Sequence, residues 1–329
     1  MTLVAVASWR GLGATTSSLL LASGAAAAGH PSWLVEADPA GGVLNARIPD
    51  LRAESGTSVE SVAFDPDEAD GLGLLRSSFR PFGSTRVLTL APDSFQAWSA
   101  LSSPRRDWIG DLRRLDGVVV VDVGSLRGGL LPSWRIVEQA DALVLCTTPD
   151  PASLVSTTQW IETKGQSAPG VVGLAADTSK LLVVDAPVTA GERFGPDVAG
   201  ELGDRVVGWW PWEPRTVDAV HRGASLDHRS LRRSTLARAV LATIASLAGP
   251  PPEAPDEPEP ATPVVPPPPI GHARAAAPEP PTPTPSAAPS TSTPPAAPGV
   301  PPPPIGHSRA VARDSRSDAG PDAGEEPSA

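Results

Sequence analysis

The sequence predicts an α/β fold, a mostly parallel sheet with helices on both faces, followed by a proline-rich tail. Three observations carry this. Short apolar runs recur at 3–7, 33–36, 86–90, 118–122, 142–146, 171–175, 181–184 and 206–209. Several are continuous rather than alternating, the pattern of strands covered on both faces. Segments of helical length lie between them, at 16–28, 93–115, 151–164, 188–202 and 230–247, as crossover helices between parallel strands require. Composition then changes abruptly: residues 249–329 hold 26 of the 41 prolines and no Trp or Phe. Such a segment buries too little apolar surface to offset its ordering entropy, so a folded domain over 1–248 and a disordered tail over 249–329 are expected.

The first run leads into Ser8-Trp9-Arg10-Gly11-Leu12-Gly13-Ala14-Thr15-Thr16, and an apolar stretch continues to Gly29. This is the strand, glycine loop and helix of a phosphate-binding loop. In such a loop, backbone N–H groups and the helix N-terminus hold phosphate, a lysine neutralises it, and the next Ser or Thr binds Mg²⁺. Here the lysine position is Ala14. The second run closes on Glu36-Ala37-Asp38-Pro39-Ala40-Gly41-Gly42. Residues 50–80, rich in Asp, Gly and Ser, fit either a short helix with loops or an insertion. The run at 118–122 ends in Asp122 and continues Val123-Gly124, an apolar strand closing on an acid as in a Walker B element. Cys146, the sole cysteine, sits in an apolar run and reads as a buried strand thiol. The last strand closes on Gly208-Trp209-Trp210-Pro211-Trp212-Glu213-Pro214-Arg215, and Pro250 to Pro252 stop the final helix.

These four pieces, in this order and spacing, resemble the ParA/MinD family of deviant-Walker ATPases, and the resemblance covers essentially all of 1–248. The family's loop reads K-G-G-x-G-K-T-T, which places Trp9 and Ala14 at the two lysine positions and Arg10 at the first glycine. The resemblance implies ATP and Mg²⁺ as cofactors, held by Arg10, Gly11, Leu12, Gly13, Ala14, Thr15 and Thr16. Thr15 and Asp122 match the metal-holding hydroxyl and acid. Asp38, in the family's D-x-D-P pattern, matches the residue that positions the attacking water. Pro211 and Trp212 match the loop that cups adenine. The Trp cluster suits stacking on a purine, and packing is the ordinary role of Trp.

The resemblance also implies an ATP-sandwich homodimer, but both lysines that serve it are missing. A charged hydrogen bond contributes roughly 1.5–3 kcal/mol, so nucleotide affinity is expected to fall about tenfold to a hundredfold. Hydrolysis is expected to suffer more, because charge develops there. Arg10 is the one nearby cation the sequence offers in compensation, and it is not a geometric replacement for lysine. The expected molecule is a spatial-organisation or assembly factor with weak or absent ATP turnover. An active ATPase switch working through Arg10 is the competing reading.

Charge bounds the partners. The first 248 residues carry 22 Lys and Arg against 27 Asp and Glu, and the tail 4 against 10. This acidic balance argues against chain-wide nucleic-acid binding. A local exception is Arg215, Arg222, Arg229, Arg232, Arg233 and Arg238, which read either as a solvated helix face or as a non-specific DNA surface of the kind ParA-like relatives use. The apolar stripe Leu231, Leu236, Val240, Ile244 and Leu247 reads as a face packed on the sheet, in contrast to the terminal membrane-binding helix of MinD-like relatives. In the tail, VPPPPIGH occurs at 265–272 and again at 300–307. Four consecutive prolines favour polyproline II, so the two copies read as docking peptides for a protein partner. No run reaches the ~18 apolar residues of a membrane span. No cationic segment precedes the apolar stretch to Gly29, so a cytoplasmic location is expected.

Overall fold

A computed structural model describes residues 1–8, 11–52, 57–65, 70–126, 132–167, 178–187 and 194–251. Its centre is one eight-stranded sheet. The strands are β1 (Thr2–Ser8), β2 (Ser32–Glu36), β3 (Arg80–Phe82), β4 (Thr85–Leu88), β5 (Val118–Ser125), β6 (Ala142–Thr147), β7 (Ser179–Asp185) and β8 (Val206–Pro211). Their spatial order is β3-β4-β2-β5-β1-β6-β7-β8, and every pairing is parallel except β3 with β4. The expected parallel sheet is therefore present, with β5 inserted between β1 and β2.

The continuous apolar runs have the anticipated cause. Along β1, Leu3, Ala5 and Ala7 enter one core cluster while Val4 and Val6 enter the other. Along β5, Val119, Val121 and Val123 face the first cluster and Val118 and Val120 the second. Each strand thus sends successive side chains into two separate cores.

One face carries α1 (Ala14–Ala27), α2 (Leu44–Arg47), α10 (Pro214–His221) and α11 (Thr235–Ala248); the other is built on α3 (Val59–Phe64), α4 (Gly71–Ser78), α5 (Ser94–Ser102), α6 (Trp108–Leu112), α7 (Trp134–Gln139) and α8 (Pro151–Ser167), with α9 (Asp197–Leu202) beside β8. The stripe on α11 packs inward as expected: Leu236, Val240 and Ile244 are buried, and Leu231 and Leu247 lie against the same cluster. Among the described residues, no helix is long and apolar enough to cross a membrane. Cys146 is fully buried, and desolvation pushes its thiol up to about 12, so it is chemically quiet.

The structure refines the predicted elements. The segment 93–115 is two helices, because Pro104 interrupts it and the Asp107 carboxylate accepts from Gly110 N–H to start α6. The last helix begins at Thr235, where the Ser234 hydroxyl accepts from Ala237 N–H at 2.9 Å. Residues 50–80 contain α3 and α4, each capped by its own side chain, Ser58 and Asp70. The three-residue edge strand β3 and the short helices α7 and α10 were not anticipated. The strand expected at 171–175, the first part of the helix expected at 188–202, and the tail from 252 lie outside the described residues.

Candidate functional site

Three strand ends meet at the centre of the sheet. Since β5 lies between β2 and β1, Asp122 is in register with Glu36 on one side and Val6 on the other. The segment after β2 and the end of β1 are thereby brought beside Asp122, three residues before β5 ends at Ser125. Asp122 is 86 residues from Glu36 and 116 from Val6 in the chain; sheet order puts them together.

The loop after β1 bends directly into α1. Gly13 occupies the N-cap position with φ 82°, left-handed backbone that a side chain disfavours. No side chain caps α1, and its first turn carries no acid. The uncapped N–H groups and the positive end of the helix dipole therefore face outward together. One loop amide is already engaged: Leu12 N–H donates to the Ser8 hydroxyl at 2.6 Å. Ala14 opens the helix and is buried. The Thr15 hydroxyl lies beside the Asp122 carboxyl and favours its charged form. The Thr16 hydroxyl lies 3.1 Å from His221 Nε2 of α10. Trp9 and Arg10 lie outside the described residues.

The acids form a cluster. Glu36 is 1% exposed, and its carboxylate accepts from Val43 and Leu44 N–H at 2.8 Å and Leu90 N–H at 3.1 Å. Burial raises its pKa against those three bonds. Asp38 accepts from Ala40 N–H at 2.8 Å, and burial raises its pKa as well. Gly124 is packed so closely on the Asp38 carboxylate that a Cβ there would collide with it. Asp122 is fully buried. Desolvation, aided by the charges of Glu36 and Asp38, pushes its pKa up to about 7, against the Thr15 and Gly124 hydrogen bonds.

That shift has a measurable consequence. Because the folded-state pKa lies above the ordinary value of 3.8, the folded protein holds an extra proton between about pH 4 and pH 7. Stability should fall as pH rises through that window and stay low above it. Asp122→Asn keeps an acceptor for Thr15 and removes the charge, so it should stabilise the protein at pH 8 by on the order of 2 kcal/mol. The gain should vanish near pH 4. Thermal denaturation of both proteins at the two pH values checks this.

Beside the loop lies a cavity of about 520 Å³. Gly13, Thr16, Ser17 and Leu20 line it from one face of α1, and Val184, Ala186, Trp210, Pro211 and Trp212 from the ends of β7 and β8. Both predicted base-contacting residues, Pro211 and Trp212, are therefore on its wall. Trp210 is buried and donates Nε1–H to the Thr243 hydroxyl at 2.9 Å, so it is a packing residue with one edge on the cavity. Trp212 is 42% exposed and has a face to offer. Glu213 fixes this corner by accepting from Thr235 and Leu236 N–H of α11 and from the Thr216 hydroxyl.

Two wall residues had no sequence signal, Arg47 from α2 and His221 from α10. Burial and the Arg47 charge hold His221 below its ordinary pKa. Among the described residues Arg47 has no carboxylate partner, and it is the one Arg or Lys on the cavity wall. The six arginines between 215 and 238 are all exposed, and Arg222 pairs with Asp218 at 2.6 Å.

The helix end is uncapped, open space surrounds Gly11 and Gly13, and the cavity falls in the ~300–1,000 Å³ range of small-molecule sites. Among the described residues, no group of three or more His, Cys, Asp or Glu is arranged to hold a metal unaided. No described cation stands over the loop at Ala14.

A mostly parallel sheet with β5 between β1 and β2, a glycine bend opening α1 and an acid on β5 define the P-loop NTPase fold class. Within that class the chain has the ParA/MinD fold. It superposes on the ParA family ATPase from Chlorobium tepidum TLS with a TM-score of 0.56 at 16% identity, covering 74% of this chain and 98% of that one. The septum site-determining protein MinD of Pyrococcus horikoshii OT3, solved with Mg-ADP, gives 0.54 at 16% identity over 74% and 95%. MinD in the MinC:MinD complex of Aquifex aeolicus gives 0.50 at 16% over 76% and 96%. No protein-family model and no curated protein sequence matches the chain.

Proposed function

We propose that this protein is a positioning or assembly factor of the ParA/MinD type, with a degenerate nucleotide site that turns ATP over slowly or not at all. The observation that supports this reading is the left-handed bend at Gly13 beside the uncapped start of α1, where the sequence has Ala14. The bend at Gly13 and the uncapped start of α1 keep the form of a phosphate cradle, yet Ala14 supplies no cation. Burial disfavours the charged forms of Asp38 and Asp122, and any charge they carry is negative.

In this reading the cavity takes the base, with Pro211 and Trp212 against it, and Thr15 and Asp122 hold Mg²⁺ through the phosphates. Bound Mg²⁺ would neutralise the phosphates; this chain's own part is to bind and orient. In the same reading Asp38 holds a water by the site. The chain acts by dimerising and by docking a protein partner on its duplicated VPPPPIGH tail, two copies of which raise avidity without new contacts. The likeness to MinD solved with Mg-ADP and to MinD solved with MinC supports nucleotide and partner as the classes to test. A cytoplasmic location accompanies this reading.

Titration of the full-length protein with a fluorescent ATP analogue, with and without Mg²⁺, and steady-state phosphate release test it. Binding at high micromolar or weaker affinity with negligible release is expected; tight binding with sustained release contradicts it. A second reading, non-specific DNA binding, draws on the six exposed arginines from Arg215 to Arg238, five of which have no described ion pair. A salt series of DNA binding separates the two, since phosphate contacts weaken steeply with salt.

A further inference from the structure

The cavity's positive charge is not where the loop would put it. Gly13, Thr16 and Ser17 give the α1 wall its polar edge, and the Thr16 hydroxyl is tied to His221. Arg47 stands close enough to that histidine for its charge to depress the imidazole pKa. The guanidinium shares the cavity wall with Thr16, His221, Trp210, Pro211 and Trp212. Asp38 and Asp122 are not on that wall; Asp122 is in register with Val6 of β1, and Glu36, close before Asp38, with Asp122.

For a ligand whose base lies on the aromatic wall, the phosphate joined to its ribose is the one that reaches Thr16 and His221. More distant phosphates would extend along the loop toward Ala14, where no described cation meets them. We propose that Arg47 is the phosphate-recognition residue of this cavity. It reads the ribose-linked phosphate, and the pocket consequently recognises the nucleoside monophosphate portion of a ligand with little regard for the β- and γ-phosphates. This rests on the reading that the cavity holds a nucleotide. It makes the site a detector of adenine nucleotides as a class, not of ATP against ADP. Arginine suits the role, because its planar fork donates two parallel hydrogen bonds to phosphate oxygens.

Isothermal titration of the full-length protein with adenosine, AMP, ADP and ATP tests it, using the wild type, Arg47→Ala and Arg47→Lys. Dissociation constants for AMP, ADP and ATP within about fivefold of one another are expected. Arg47→Ala should weaken all three by about 10- to 100-fold, the loss of one charged hydrogen bond. It should leave adenosine unchanged, and Arg47→Lys should recover part of the loss. Arg47 is exposed, so these variants should fold, which melting curves verify. Equal affinity of wild type and Arg47→Ala for AMP overturns the assignment of Arg47 alone. ATP bound a hundredfold more tightly than AMP overturns the indifference to the outer phosphates. No saturable binding of any nucleotide overturns the nucleotide cavity itself and with it this proposal, while leaving a docking role without turnover intact.

Discussion

Glu36→Ala should lower the unfolding free energy by about 3–6 kcal/mol, the largest stability effect expected of a single polar residue here. Its carboxylate holds three backbone N–H groups, from Val43, Leu44 and Leu90. Truncation leaves three buried donors without an acceptor, each costing about 1–3 kcal/mol in desolvation. The loop after β2 would lose its tie to the chain beyond β4, and Asp38 lies in that loop. Glu36→Gln separates charge from hydrogen bonding. It keeps one acceptor oxygen for Val43 and Leu44 but turns an amide donor toward Leu90 N–H, so about half the loss should remain. Urea denaturation of the three proteins at pH 7 measures the series.

Ala14→Lys should raise ATP turnover by on the order of 10²–10³, the effect typical of one transition-state donor. The backbone that would use the lysine is already bent correctly, with Gly13 in left-handed conformation and Thr15 beside Asp122. The new ammonium would also face Asp38 and Asp122, lowering the cost of their charges. Phosphate release from the variant, and from the same variant carrying Asp38→Ala, should show gain and loss respectively. An unchanged rate would place the loss of function beyond the loop.

The sheet was legible because parallel strands buried on both faces must be apolar at every position, as 118–122 and 142–146 are. The loop was legible because its chemistry is in backbone shape, and Gly11, Gly13 and Thr15 mark that shape directly. β3 was not, since three residues beside a glycine turn have no periodicity to read. The helix expected over 93–115 failed for a local reason, Pro104, that outweighs apolar spacing.

Arg47 and His221 were invisible because nothing in their neighbourhoods ties them to the loop; folding alone brings α2 and α10 to α1. Sequence reasoning looked for a compensating cation next to Gly11 and named Arg10. The described cation nearest the cavity comes from 37 positions further along. The role of Glu36 was hidden in the same way, as a residue of a recognised pattern whose physical work is to hold three amides from two other segments.

Whether the bend at Gly13, with Ala14 at the lysine position, still drives hydrolysis separates a positioning factor from an ATPase switch. Steady-state release of phosphate from Mg²⁺-ATP by the full-length wild-type protein, with Asp38→Ala as control, measures this directly. A wild-type rate indistinguishable from that of the control is the predicted result. Sustained release abolished by Asp38→Ala would contradict it.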